Sequence, residues 1–231
     1  MWACVPCLDT KSLTLENDMS NSKIYIKLGL NGRTSQNQGY PKVLSLLSSR
    51  LQKHVEKNEK LLQTQTKDVP TIFHGSRAPS LTIQQYIDRI FKYSRCSPSC
   101  FVVANIYMDR LIQSESIVLT SLNVHRLLIT SIMLATKFID EAFFNNAYYA
   151  KVGGISRAEM NRLEMKFLFG IDFQLYVNLF TFKEYCLELM GEGSEDEVQI
   201  QNAVHGSCGI IEKRSKKNDD STYPTIEIEI N

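Results

Sequence analysis

The sequence predicts an all-α fold, and three observations support this prediction. Between residues 80 and 190 no segment alternates apolar and polar residues as a half-buried strand does. Helix start and stop signals follow one another closely over the same span. A central stretch, Val124 to Ala135, is apolar on almost every face before the chain turns polar at Lys137 and Asp140. Such a helix must be surrounded by other helices, so we expect a bundle.

The N-terminal part is predicted to contain a leader, one helix and a linker. Residues 1–40 are rich in Ser, Asn, Thr and Gly and indicate a flexible leader, in which KIYIKLGL could pair as a strand or dock loosely. Pro41 suits a first helical position, and the apolar spacing after it predicts an amphipathic helix over residues 41–66. Residues 67–79 contain Pro and Gly and form a linker. The apolar stripe of the helix consists of Val43, Leu47, Leu51, Val55 and Leu62.

Residues 80–175 are predicted to form five helices, and residues 176–191 a short C-terminal helix. Several of these helices begin with a capping box, in which a Ser or Thr is followed three residues later by Glu or Gln. Glycine ends several of them, because it adopts the left-handed backbone of a helix stop. The signals are Thr82–Gln85, Ser97–Pro98, Asn123, about Phe143 to Gly153–Gly154, Ser156–Glu159 to Gly170, and Thr181–Glu184 to Gly191.

The composition changes after Gly191. Residues 192–231 carry few large apolar side chains and consist of acidic, basic and again acidic runs, so we expect a mostly disordered tail. The basic run KRSKK within this tail could be a nuclear-import signal or simply a solvated charge run, and both interpretations remain open.

Composition and charge narrow the possible functions. The 231 residues are 43% hydrophobic and 22% charged, with a net charge of +1. This balance gives no global electrostatic case for binding nucleic acid or an anionic membrane. No apolar run reaches the roughly 18 residues that span a bilayer, and the start MWACVPCLDT does not resemble a signal peptide. We therefore expect a protein of the nucleus, the cytoplasm or both.

The sequence predicts neither a metal site, nor a cofactor, nor an active site. The six cysteines follow no disulfide-framework spacing, so we expect free thiols. Cys4 and Cys7 form a CxxC motif without the second CxxC or histidine pair that a zinc site needs. Phosphate-loop, hydrolase and metalloprotease motifs are absent, and Asp140 and Glu141 point apart as neighbours at a helix end. These features predict a binding protein rather than an enzyme.

Three strings resemble helices of the cyclin box in the family's order. NIYMDRLI, Asn105 to Ile112, resembles the second helix, and LATKFIDE, Leu134 to Glu141, resembles the end of the third. RLEMKFLFGIDFQL, Arg162 to Leu175, resembles the fifth helix and the turn after it. Within residues 69–173, FHGSRAPS, YIDRIFKYS, SLNVHRLLITS and FFNNAYYAKVGG resemble plant U-type (P-type) cyclins, which are related to fungal phosphate-signalling cyclins. The resemblance implies that residues 80–175 form a single cyclin box.

The resemblance also implies a regulatory subunit that forms a heterodimer with a cyclin-dependent protein kinase and activates it, in cell-cycle or nutrient signalling. In that family a third-helix lysine and a fifth-helix glutamate hold a mobile helix of the kinase. The lysine donates to backbone carbonyls, the glutamate accepts from backbone amides, and apolar residues fill the gap between them. The matching residues, and hence the predicted kinase-binding residues, are Lys137, Phe138, Glu164, Leu168, Phe173 and Leu175.

These residues also have plainer explanations. Lys137 suits a helix end favoured by the macrodipole, and Glu164 suits a solvated helix face, although the motif outweighs both. Phe138, Leu168 and Phe173 could each belong to the core or to an interface. The first helix carries YIDRIF where mitotic cyclins carry a Met-Arg-Ala-Ile-Leu patch, so substrate docking by that route is not expected.

Two other function classes are alternatives. A general transcription-factor-like protein shares the fold and binds DNA or polymerase, but it needs a basic face. Here the lysines and arginines of residues 80–175 are interspersed with acids, which argues against that alternative. A thiol or metal enzyme that uses the scattered cysteines ranks third.

Overall fold

The computed structural model describes residues 19–30, 40–64 and 69–204. Over these residues the chain forms α-helices and no β-strand, which confirms the all-α prediction. None of the helices in this part of the chain is both long and apolar enough to cross a membrane. The helices are α1 (Met19–Leu28), α2 (Lys42–Thr64), α3 (Ile83–Ser94), α4 (Ser99–Glu115), α5 (Val124–Ile139), α6 (Asn146–Gly153), α7 (Arg157–Gly170) and α8 (Leu179–Val204).

Helix α5 is the centre of the bundle, as its apolar sequence predicts. It contacts α3, α4, α6 and α7, and every residue from Leu127 to Thr136 is buried. Thr130, Ser131 and Thr136 fit this environment because their hydroxyls donate to carbonyls one turn earlier, at 2.7, 3.1 and 2.8 Å. The helix therefore reaches the surface only after Thr136, at the end that carries Lys137.

The predicted capping box at Thr82 starts α3, whereas only the Ser156 half of the predicted Ser156–Glu159 box starts α7, where the Glu159 carboxylate accepts from Arg126. Before α3, the Thr82 hydroxyl accepts from the Gln85 backbone amide at 3.2 Å, and the Gln85 side chain accepts from the Thr82 amide at 3.0 Å. Before α7, the Ser156 hydroxyl accepts from the Glu159 amide at 3.0 Å. These bonds satisfy amides that the first helical turn leaves without partners.

Helix α6 begins later than the sequence predicts. Asn145 caps it, because the Asn145 side chain accepts from the Tyr148 backbone amide at 3.0 Å, so the first helical residue is Asn146 rather than one near Phe143. Gly154 ends the helix as predicted, with a φ of 72° in the left-handed region.

The predicted N-terminal helix is present as α2, but part of the predicted leader is wrong. Residues 19–28 form α1, which includes Lys23 to Leu28 of the KIYIKLGL segment and in which Tyr25 and Leu28 are buried. These two residues are three apart, so they share one helix face; α1 contacts α2, and the Tyr25 ring centroid lies 6.0 Å from that of Phe182 on α8. Residues 1–18 lie outside the described part. The buried apolar residues of α2 are Val43, Leu44, Leu47, Leu51 and Val55, and Leu62 is half-buried.

The linker before the bundle has no helix in its described part, residues 69–79, but it is tied to the core. Phe73 is fully buried and packs edge-on against Phe167, with ring centroids 6.0 Å apart. The Gly75 amide donates to the Leu122 carbonyl at 2.8 Å. The linker therefore fixes where the chain enters α3.

Helix α8 contradicts the predicted short C-terminal helix and part of the predicted tail. It does not stop at Gly191 but continues to Val204. The helix-favouring Glu, Gln and Ala residues after Gly191 offset the cost of Gly191 and Gly193, about 1 kcal/mol each. The sequence predicts Thr181 as the cap of this helix. In the structure the Asn178 side chain caps it by accepting from the Thr181 backbone amide at 2.8 Å. Residues 205–231, which include KRSKK, lie outside the described part.

The chain divides into two units, Met1–Glu195 and Asp196–Asn231. The second unit is described only over residues 196–204, which form the last part of α8. In the first unit, α8 is held by an ion pair from Arg50 to Glu188 at 3.0 Å, and Cys186 is among its buried residues.

Candidate functional site

Lys137 and Glu164 meet at the surface between α5 and α7. They are 27 residues apart in sequence, and their ammonium nitrogen and carboxylate oxygen Oε1 lie 2.5 Å apart. The side chains are 25% and 17% exposed, so the pair sits at the edge of the bundle, partly shielded from water. The sequence patterns do not predict a contact between Lys137 and Glu164, whereas the structure joins them in one ion pair.

An asparagine completes this polar group. The Lys137 ammonium also donates to the side-chain oxygen of Asn146, at 2.5 Å. The Asn146 side-chain nitrogen donates to Glu164 Oε2 at 2.5 Å and to the Asn161 side-chain oxygen at 2.8 Å. Asn146 is the first residue of α6, so three helices supply the charged pair and its bridge.

The polar group retains capacity for a partner. Lys137 has three N–H donors, and two of them are used by Glu164 and Asn146. Each carboxylate oxygen of Glu164 accepts one of these bonds and has a second lone pair. The group can therefore donate to a carbonyl and accept from amides of another chain without first losing its internal bonds.

Apolar side chains surround the polar group, and the structure decides how exposed they are. Phe138, next to Lys137, is 49% exposed, and Phe173 is 50% exposed. Leu168, one turn beyond Glu164, and Leu175 are half-buried and pack against the core. Phe138 and Phe173 thus present large apolar area to solvent, which favours an interface role over a core role for both. We name the six predicted residues, Lys137, Phe138, Glu164, Leu168, Phe173 and Leu175, the α5–α7 surface.

The turn after α7 holds Phe173 outward at some conformational cost. Asp172 and Phe173 have φ values of 51° and 54°, in a region that costs a non-glycine residue about 1 kcal/mol or more. The Phe173 amide donates to the Leu168 carbonyl at 2.9 Å, which places the turn directly over the end of α7. Strain of this kind persists only where neighbouring groups fix it, and it often marks a functional surface.

Helix α4 fixes that turn through two residues of the NIYMDRLI string. The Tyr107 hydroxyl donates to the Leu175 carbonyl at 2.6 Å, and Arg110 donates to the carbonyls of Gln174 and, at 3.1 Å, Tyr176. Burial raises the pKa of Tyr107 above its ordinary value, so its hydroxyl stays protonated and remains a donor. The second-helix motif thus acts from behind the surface, by orienting the turn.

Asn146, Asn161 and Phe169 also lie at this site, and the sequence patterns did not predict them. Phe169 is 65% exposed and packs edge-on against Phe173, with ring centroids 5.2 Å apart. The sequence could have predicted the exposure of Phe169 from its spacing to Phe167, because residues at i and i+2 of a helix cannot both face the core of the bundle. Phe167 is fully buried, so Phe169 must point outward.

Potential metal ligands are dispersed in the described part of the chain. Within it, no group of three or more His, Cys, Asp or Glu side chains is placed to hold a metal ion. Cys96, Cys100 and Cys186 are free thiols in buried positions, and Cys4 and Cys7 lie outside that part.

The all-helical bundle is consistent with a cyclin box fold. The chain belongs to the cyclin family, since the family model described as Cyclin matches residues 27–175. It is 55% identical to Cyclin-P3-1 of Oryza sativa subsp. japonica over 184 residues, which cover 78% of each chain. It is 44% identical to Cyclin-U3-1 of Arabidopsis thaliana over 199 residues, covering 85% of this chain and 89% of that relative.

A third relative, Cyclin-U4-1 of Arabidopsis thaliana, is 52% identical over 154 residues, covering 65% of this chain and 76% of the relative. The resemblance to plant U-type and P-type cyclins is therefore confirmed. The cyclin family is regulatory rather than catalytic, and its members generally partner with cyclin-dependent kinases.

Alanine variants of an exposed and a buried phenylalanine distinguish a surface residue from a core residue. We expect Phe173→Ala to weaken kinase binding while changing the free energy of unfolding by less than about 1 kcal/mol, because half of the side chain is already exposed. Phe167→Ala should instead cost about 3–5 kcal/mol, because it opens a cavity in the core. Thermal unfolding and kinase titration of both variants check this. A stability loss for Phe173→Ala as large as that for Phe167→Ala would make Phe173 a core residue.

Proposed function

We propose that this chain binds a cyclin-dependent protein kinase through the α5–α7 surface, as a heterodimer, and activates it. The observation that carries the proposal is the Lys137–Glu164 pair with the half-exposed Phe138 and Phe173 beside it. The family relationship supports it, because cyclins generally partner with such kinases.

The chemistry of the surface suits the end of a helix from another protein. A helix end carries backbone carbonyls or amides without partners inside the helix. The third N–H of Lys137 can donate to such a carbonyl, and the free lone pairs of Glu164 can accept from amides. Phe138 and Phe173 bury apolar area around these bonds, which excludes water and strengthens them.

Activation then follows from a shift in conformational population. A kinase whose mobile helix exchanges between active and inactive positions becomes active when a partner binds the active position more tightly. Rigid helices carry the surface, since α5 is buried up to Thr136 and α7 packs on it. The chain supplies binding energy, and the kinase supplies the chemistry.

The biological setting of this activity is also part of the proposal. We propose a role in cell-cycle or nutrient (phosphate) signalling, which is compatible with membership of the cyclin family, and we expect the protein in the nucleus, the cytoplasm or both. Imaging of a fluorescent fusion in cells, with and without the KRSKK run, tests the location.

The alternative of a DNA-binding, transcription-factor-like protein is disfavoured by the charges of the bundle. Several basic side chains pair with carboxylates, namely Arg126 with Glu159 at 2.7 Å and Lys166 with Glu115 at 2.8 Å, besides Lys137 with Glu164. Paired charges do not form the continuous basic face that DNA binding needs. A DNA-binding assay over a range of salt concentrations separates the two functions.

The proposed function predicts no activity in the isolated chain and activity in the complex. Purified chain should transfer no phosphate from ATP to a peptide substrate, and addition of the chain to a purified cyclin-dependent kinase should raise the kinase's rate. Kinase alone and chain alone are the controls. Phosphoryl transfer by the isolated chain would contradict the regulatory role. A panel of such kinases that neither bind nor respond would contradict the proposed partner.

A further inference from the structure

Asn146 has a side chain that α6 does not need for its own start. The cap of α6 is Asn145, whose side chain accepts from the Tyr148 amide at 3.0 Å. Asn146 makes its side-chain hydrogen bonds to Lys137, Glu164 and Asn161, on α5 and α7. The two adjacent asparagines thus have separate tasks, one in the helix start and one at the polar group.

The hydrogen bonds of Asn146 determine which way its amide faces. Its oxygen accepts from the Lys137 ammonium, which can only donate, and its nitrogen donates to Glu164 Oε2, which as a carboxylate oxygen only accepts. In the reversed orientation the amide nitrogen would face the Lys137 ammonium, donor against donor, and the amide oxygen would face Glu164 Oε2, acceptor against acceptor. Asn161 supports the same orientation, because its side-chain oxygen accepts the second N–H of Asn146 at 2.8 Å.

A neutral amide is the side chain that serves both charged groups at once. An aspartate at this position would repel Glu164, and a lysine would repel Lys137. An alanine would leave Glu164 Oε2 and the second donor of Lys137 without these bonds. Lys137 and Glu164 would then keep their mutual ion pair, but the long side chains would be free to rotate together away from the geometry that a partner needs.

We propose that Asn146 is a positioning residue for the kinase-binding pair. It fixes the rotamers of Lys137 and Glu164 before the partner arrives, so less side-chain freedom is lost on binding. The inference rests on the proposed function, and it assigns the start of α6 to the interface together with α5 and α7. Asn161 supports Asn146 from α7 and acts more weakly, since it touches neither charged group in the bonds above.

The test compares Asn146→Ala with its neighbour Asn145→Ala in the full chain. Asn146→Ala should weaken kinase binding about tenfold, the order expected for lost charge-assisted hydrogen bonds, with a nearly unchanged melting temperature. Asn145→Ala should lower the melting temperature by about 2–4 °C through the lost cap, with little change in kinase affinity. Equal kinase affinity of Asn146→Ala and the wild type would overturn the proposal.

A mutant cycle separates positioning from direct contact with the kinase. In a Lys137→Ala/Glu164→Ala background, where both positioned groups are gone, Asn146→Ala should have a much smaller effect than in the wild type. A tenfold loss in both backgrounds would overturn the positioning role, since Asn146 would then act independently of the charged pair.

A measurement without the kinase keeps this inference distinct from the proposed function. The Lys137 ammonium donates to two side chains, so its N–H signal in NMR should be protected from exchange with water. That protection should be clearly reduced in Asn146→Ala, where only the bond to Glu164 remains, and kept in Asn145→Ala. An unchanged Lys137 signal in Asn146→Ala would overturn the inference, whatever the partner is. If the wild-type chain binds no kinase while the two variants show these NMR differences from it, only the proposed function is contradicted.

Discussion

Replacing both Lys137 and Glu164 by alanine should weaken kinase binding by about 2–5 kcal/mol, a loss of roughly thirtyfold to several thousandfold. The loss is large because polar backbone groups of the kinase would be buried without partners. Isothermal titration with a purified cyclin-dependent kinase measures it. The free energy of unfolding of the double variant should change much less than its binding free energy, because both members of the ion pair are removed together.

The single variants make this prediction sharper. Each of Lys137→Ala and Glu164→Ala leaves a partly buried charge without its partner, so each should cost about 1–2 kcal/mol of stability. The double variant should cost less than the sum of the two. A second pair on α7, Lys166 with Glu115 on α4, is the matched control, because its double alanine variant should leave kinase binding unchanged.

Removing residues 1–66 should destabilise the rest of the chain severely. This deletion takes away α1 and α2, and with α2 the buried Val43, Leu44, Leu47, Leu51 and Val55. Burial of five such aliphatic side chains is worth on the order of 5–10 kcal/mol before entropy costs, which is comparable with the total stability of a domain. Thermal unfolding should therefore show a much lower melting temperature or no cooperative transition.

Two point variants within α2 control for non-specific effects of the deletion. Leu47→Ala should cost about 2–5 kcal/mol, because the side chain is fully buried. Leu61→Ala, in the same helix but 49% exposed, should cost less than about 0.5 kcal/mol. A deletion variant that melts like the full chain would mean that α2 contributes nothing to the stability of the bundle.

The elements that sequence patterns predicted well are those fixed by local rules. Helix α5 follows from a largely apolar run, and the starts of α3 and α7 follow from the cap residues Thr82 and Ser156. Helix α1 was missed because KIYIKLGL alternates apolar and polar residues as a strand does, whereas the buried Tyr25 and Leu28 are three apart, on one face of a helix. The extent of α8 was missed because Gly191 is an ordinary stop signal that flanking residues overrode.

The candidate site divides in the same way. Lys137 and Glu164 were found through motifs, but their contact joins residues 27 apart and depends on how α5 and α7 pack. Asn146 was missed because its role exists only where three helices meet. No periodicity in α6 predicts that meeting point. Sequence thus identified the charged residues, and tertiary packing supplied the group that orients them.

The most direct test of kinase binding by the α5–α7 surface exchanges the two charges. The variant Lys137→Glu with Glu164→Lys keeps an ion pair across α5 and α7, and Asn146 can serve it by turning its amide. Its melting temperature should therefore match that of the wild type. Its donors and acceptors are reversed for the partner, so kinase affinity and activation should fall by about a hundredfold or more. A charge-exchanged chain that binds and activates a cyclin-dependent kinase like the wild type would contradict kinase binding through this surface.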